Sequence, residues 1–301
     1  MNNFMIGQYG TFDEQKYARD FRKSFYGIEA CLFEEESDVL KLRHESLCNG
    51  FQVGIHFPLR AGGSELRDAL FLAQDNHVRQ QAFDYIQREL EYMSSIKMKP
   101  AYILFHYPKP VILDNRVNWE SWRFTSAKEY VFESEYCFAE FTQKSEALFD
   151  WLSAKGKEYG FTPVLEFDAL NAYIYKTDFL EKLLEKYPLI KLCLDTGRMH
   201  VQEKIDPHFL AFQVIKKFAK YAQTIHLWNM KCTDKFEYNH YPALPECRAE
   251  DGWAPIEQYL KQIMEENPDI KIMFEHRSDM ISDEQLERCY TWIDQLVNNR
   301  S

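Results

Sequence analysis

Pro163-Val-Leu-Glu166 decides how this chain is read, because the same kind of stretch recurs as Leu192-Cys-Leu-Asp195, Thr224-Ile-His226 and Ile272-Met-Phe-Glu275. Each is a short apolar run closed by an ionisable residue. Such a run reads as a buried strand. A charge at its C-terminal end is costly unless it is paired, bound to a metal or opened into a cleft. Ionisable residues ending four separate strands, in the order Glu, Asp, His, Glu, point to one convergent site with three oxygen donors and one nitrogen. That is a divalent-metal site on a parallel barrel. The bland alternative is a set of unrelated salt bridges at strand ends. Three hard oxygen ligands with one imidazole suit Mn²⁺, Mg²⁺, Co²⁺ or Fe²⁺ better than a structural zinc site, which favours thiolates or several imidazoles. Zn²⁺ stays among the candidate ions.

Outward from these runs, strands and amphipathic helices alternate along the whole chain. The strand candidates are Phe4–Gln8, Gly27–Phe33, Phe51–Phe57, Ala101–His106, Pro163–Phe167, Ile190–Asp195, Thr224–Trp228 and Ile270–Glu275. Helical periodicity falls on Asn76–Ile96, Glu133–Tyr159, Thr177–Lys186, Pro207–Tyr221, Ile256–Glu266 and Ser282–Val297. The last opens Ser282-Asp-Glu-Gln285, a capping-box pattern. Strands separated by helices imply parallel βα units. Eight such units predict an α/β fold, a closed (β/α)8 TIM barrel spanning residues 1–301 as a single domain. No Gly-x-Gly-x-x-Gly turn follows the first strand, so a dinucleotide fold has no support.

The bulk properties agree. A chain of 301 residues that is 46% hydrophobic and 28% charged can fill one large core. A net charge of −11 argues against binding nucleic acid through phosphates. The seven cysteines show no C-x-x-C spacing, which fits reduced thiols in a cytosolic protein. Neither a signal peptide nor a membrane-length apolar run is seen. The expectation is a cytoplasmic protein, free or as a homo-oligomer, with a small-molecule partner.

Further residues are placed to touch that partner. His56 and His106 end matching runs, Val53-Gly-Ile-His56-Phe-Pro and Ile103-Leu-Phe-His106-Tyr-Pro. They are candidates for substrate hydroxyls or a second metal. Satisfied core histidines are the alternative. Arg198, in Asp195-Thr-Gly-Arg198, offers a bidentate fork for a phosphate or carboxylate. Glu29, Lys109, Lys231, Arg277, His200, His240 and His276 are weaker candidates, each readable as an ordinary salt bridge or core residue. The connections Tyr107–Ser126, carrying Trp119 and Trp122, and Asn229–Trp253 are long βα loops. Barrel active sites are built on that face, so both loops are expected at the rim, with Trp119, Trp122 or Trp228 placed to cover a substrate. No Gly-x-Ser-x-Gly elbow, P-loop or His-Glu-x-x-His helix is present.

With these residues in view, the chain resembles the xylose-isomerase-like TIM barrel superfamily, which includes sugar isomerases, ketose 3-epimerases and endonuclease IV. The carriers are Gly54-Ile-His56-Phe-Pro, Leu104-Phe-His106, Val164-Leu-Glu166, Cys193-Leu-Asp195-Thr-Gly, Ile225-His226-Leu, Met273-Phe-Glu275-His and Asp251-Gly-Trp253. The resemblance implies metal ligation by Glu166, Asp195, His226 and Glu275. It also implies proton exchange by the two glutamates through an enediolate, in a sugar, sugar-phosphate or polyol isomerase or epimerase of carbohydrate metabolism. The ion expected is divalent, with manganese among the candidates. Two rivals are an endonuclease IV-like phosphodiester hydrolase and a non-catalytic barrel with a binding role. The first is disfavoured because Arg198 and Tyr238 stand where its third zinc needs a histidine and an aspartate.

Overall fold

The computed structural model describes residues 1–298. Eight strands form its barrel: β1 (Phe4–Tyr9), β2 (Gly27–Cys31), β3 (Gln52–His56), β4 (Tyr102–Tyr107), β5 (Thr162–Phe167), β6 (Lys191–Asp195), β7 (Ala222–Leu227) and β8 (Lys271–Phe274). They close in the order β1-β8-β7-β6-β5-β4-β3-β2, so every strand neighbours the one before it in sequence. The predicted (β/α)8 TIM barrel is what forms. β4 is buried at every position. A parallel strand covered on both faces reads as a continuous apolar run for this reason.

The register of the parallel ladders sets the site. His106 of β4 pairs with Glu166 of β5, and Asp195 of β6 pairs with His226 of β7. Paired residues share a face, so each pair presents its side chains at one level. Close packing supports the arrangement. A Cβ on Gly54 would lie 2.3 Å from the ring of Tyr102, which needs that space to pass its hydroxyl to Glu29 at 2.5 Å. A Cβ on Gly197 would meet the indole of Trp228 at 2.3 Å. Glu29 is thus a buried acceptor within the strand layer.

By packing, the chain groups into two compact units. One holds Met1–Gly7, Asp13–Ile28 and the segment from Leu192; the other holds Gln8–Phe12 and Glu29–Lys191.

The expected helices form, with altered limits. The helix expected over Pro207–Tyr221 begins at Ala211 and ends in a 3₁₀ turn, Ala219–Tyr221. The capping box is real: Ser282 N donates to Gln285 Oε1 at 3.0 Å and Gln285 N donates to Ser282 Oγ at 3.2 Å. Helices Glu14–Asp20, Glu36–Asn49 and Thr196–Ile205 carry too little apolar periodicity to stand out in the sequence. The second buries only Val39 and Leu42. The second strand stops at Cys31 because Leu32 turns into the left-handed region at φ 54°. Both long loops leave C-terminal strand ends as expected. The loop after β4 contains Val111–Leu113, which pairs in parallel with Tyr130–Phe132. The loop after β7 contains an antiparallel hairpin, Asn229–Cys232 with Phe236–Tyr241. Among the described residues, no helix is long and apolar enough to cross a membrane.

Candidate active site

In the unit containing β3, β4 and β5, the site is built around Glu166. Its carboxylate is fully buried, and two imidazoles address the same oxygen. His56 Nε2 lies 3.2 Å and His106 Nε2 2.9 Å from Glu166 Oε2. The two rings meet edge to face with centroids 4.8 Å apart. The matching His-aromatic-Pro motifs therefore deliver two histidines to one carboxylate.

His106 is itself held from behind, because its Nδ1 lies 2.9 Å from Asp68 Oδ2. Asp68 also accepts from Lys109 at 2.9 Å, and Lys109 reaches Asp168 at 2.8 Å and Glu129 at 3.6 Å. Trp122 completes the group, donating its indole N–H to Asp168 Oδ1 at 3.1 Å. Trp119, the expected substrate contact, instead gives its indole N–H to the Asp114 carbonyl at 3.0 Å, so Trp122 is the tryptophan joined to this carboxylate cluster.

Charge balance in this cluster is internal. Burial opposes ionisation of Asp68, yet His106 and Lys109 together hold its carboxyl well below the usual range. Burial likewise works against the Lys109 ammonium, but Asp168 and Asp68 outweigh it and raise the group above an ordinary lysine. Lys109 is thus held as a cation, 2% exposed, in a nest of carboxylates.

Lys109 is only a weak candidate in the sequence, and Asp68, Asp168 and Glu129 do not stand out there. Asp68 lies in the polar stretch Ser-Glu-Leu-Arg-Asp, which looks like any solvated loop. Asp168 does carry a signal, since it stands two residues beyond Glu166 and alternation puts i and i+2 on one face.

In the unit containing β7 and β8, Asp195, His226 and Glu275 bring their ligand atoms within 4.8 Å of one another. Asp195 and His226 are buried, while the Glu275 side chain is 29% exposed. His226 Nδ1 lies 3.4 Å from Glu275 Oε2. Asp195 also caps the helix that follows it, accepting from Arg198 N at 2.8 Å. The Arg198 guanidinium stays close, with Nε 3.4 Å from Asp195 Oδ2. Two carboxylates and an imidazole at this separation fit a divalent cation by donor type and by spacing.

The remaining candidates fall outside these groups. His276 packs between Phe274 and Tyr290, and burial pushes its pKa well below the usual value. His200 is buried with Nε2 3.3 Å from the Gly252 carbonyl, and burial lowers it to about 4. Arg277 is an exposed partner of Asp279. Lys231 bridges to Trp253 by backbone pairing.

No protein-family model matches the sequence, and no curated protein matches it. Solved structures do match. A D-tagatose 3-epimerase-like protein superposes with TM-score 0.62 at 13% identity, over 96% of this chain and 97% of its own. The 3-keto-D-glucoside 4-epimerase from E. coli gives TM-score 0.60 at 13% identity, over 98% and 100%. A Thermus thermophilus protein soaked with ZnCl2 gives 0.59 at 15% identity, over 96% and 97%. The chain is a (β/α)8 barrel by these measures. More narrowly, a xylose isomerase domain containing protein and a xylose isomerase-like TIM barrel fusion protein share that fold, at 12% and 13% identity.

Proposed function

We propose that this barrel is a divalent-metal-dependent isomerase or epimerase of a sugar, sugar phosphate or polyol. Its ligands would be Glu166, Asp195, His226 and Glu275. The observation that carries the reading is the contrast between the two glutamates. Glu166 is sealed and held by two histidines, whereas Glu275 is part-exposed beside His226. They end β5 and follow β8, and the intervening strands β6 and β7 bear the aspartate and the histidine.

A bound divalent ion would supply Lewis-acid polarisation of a substrate carbonyl. The chain's own carboxylates would then move the proton of the adjacent C–H through an enediolate of the substrate. One glutamate removes it and the other returns it. His56 and His106 both point at Glu166, so we assign them to fixing that carboxylate and extend their hold through Asp68 and Lys109. Arg198 is the group suited to a substrate oxyanion or hydroxyl, and Trp122 is closer in bonding to the carboxylates than Trp119. Same-fold proteins named as epimerases support the sugar class, and the zinc-soaked one supports a divalent ion.

The test is a panel of ketoses, inososes and sugar phosphates in D2O with Mn²⁺, Co²⁺, Mg²⁺ or Zn²⁺. NMR should show deuterium entering at the carbon beside the carbonyl of one substrate. Absence of exchange with every substrate and every ion, alongside cleavage of abasic DNA, would transfer the assignment to a phosphodiester hydrolase.

A further inference from the structure

Glu275 lies one residue beyond the end of β8, where the sheet has stopped supporting it. Its N–H makes the last rung, donating to the Leu227 carbonyl at 3.2 Å. The carbonyl of Glu275 points past the barrel ladder. There it is met by His240, whose Nδ1 donates to it at 2.8 Å. A carbonyl can only accept, so Nδ1 carries the proton. Two residues on, Arg277 N donates to the His240 carbonyl at 2.8 Å. One residue of the hairpin thus serves Glu275–Arg277 as a neighbouring strand would.

His240 is placed for this at a cost. It has φ 54°, a left-handed conformation that non-glycine residues seldom adopt. Tyr238, two residues earlier in the same strand, has φ 59°. Backbone held in such regions persists only where surrounding contacts over-determine it. Here the contact is a stack: the imidazole lies on the Trp228 indole at 4.2 Å and 19° between planes. Trp228 in turn fills the space left by Gly197, beside Asp195.

We infer that His240 is a positioning residue that sets the Glu275 carboxylate for metal binding and proton transfer. The inference rests on the reading of Glu275 as a ligand and base. Among the described residues, His240 belongs to none of the groups whose ligand atoms lie within 4.8 Å of one another, so the role inferred for it is support and not ligation.

Co²⁺ alone is the probe, read by calorimetric titration and by its visible absorption, which reports coordination geometry. His240→Phe keeps a stacking ring without the donor. His240→Asn places an N–H at the same distance along the side chain and tolerates the left-handed backbone. The Phe variant should bind Co²⁺ about 10- to 100-fold more weakly, with an altered spectrum, as loss of an outer support does at metal sites. The Asn variant should return most of the affinity and the wild-type spectrum. Should the Phe variant lose its fold, His240→Ala against His240→Asn makes the same comparison. Wild-type affinity and spectrum in the donorless variant, or no recovery in the Asn variant, would overturn the inference. Failure of the wild-type protein to take up Co²⁺ would instead overturn the metal reading of the site, and this role with it.

Discussion

Asp68 Oδ2 lies 2.9 Å from His106 Nδ1 and 2.9 Å from Lys109 Nζ, so a single oxygen couples a buried lysine to the histidine that holds Glu166. The catalytic carboxylate proposed here is therefore backed by three successive ionisable residues from one half of the barrel.

Lys109→Met should test that backing. Removing one partner from a buried charge group leaves the others uncompensated, which costs about 3–5 kcal/mol. The raised Lys109 pKa means that its contribution is fully present below the ordinary lysine value and is lost only at higher pH. The depressed Asp68 pKa means that its own is present above the ordinary aspartate value and fades as pH falls. Urea unfolding at pH 7 should show the full loss. At pH 4 and below the gap between variant and wild type should narrow, because the orphaned carboxylates can take up protons.

Glu275→Gln should abolish deuterium exchange while leaving the melting temperature of the metal-free protein close to wild type. Gln keeps the volume but loses charge and basicity. General acid–base catalysis is worth about 10²–10⁴-fold. Exchange should stay low even at saturating Mn²⁺. Recovery to wild-type rate with excess ion would leave Glu275 a ligand only and pass the proton to Glu166.

Divalent ions should stabilise the folded protein against heat. A ligand at 100 times its Kd adds about 2.7 kcal/mol. Asp195→Asn and His226→Gln should abolish that gain in differential scanning fluorimetry with Mn²⁺. A gain unchanged in both variants would place the ion elsewhere.

His200 should govern part of the acid response. Burial lowers it to about 4 from an ordinary 6.5, so the unfolded chain binds a proton that the folded one refuses. Its contribution is fully present above pH 6.5 and is lost as pH falls from there toward 4. His200→Gln keeps an N–H for the Gly252 carbonyl without titrating in this window, and should flatten the stability profile over it.

The fold is legible because buried parallel strands leave apolar runs, and β4, β5, β6 and β8 have them, while β7 is broken by Gln223, Thr224 and His226. Asp195, His226 and Glu275 are legible as strand-end charges, and the structure draws these three together. His56 and His106 are legible as a repeated motif, but their direction is not: the register of β4 on β5 sets His106 beside Glu166, and the approach of His56 to the same oxygen shows only in the folded contacts. Asp68 is hidden because loop residues carry no periodicity, and its role depends on where residues 57–75 fold back. The part played by His240 is equally hidden, since a hydrogen bond to a backbone carbonyl leaves no mark in sequence.

The hairpin after β7 bears on how this protein can be re-engineered. Rim loops of this length are the usual places to graft, shorten or exchange segments when a barrel is given a new substrate. In this chain the strand Phe236–Tyr241 carries the backbone support of Glu275. Only the connecting turn, Thr233–Lys235, is open to such exchange. A library that randomised the whole hairpin would lose turnover in most members for reasons unrelated to substrate fit.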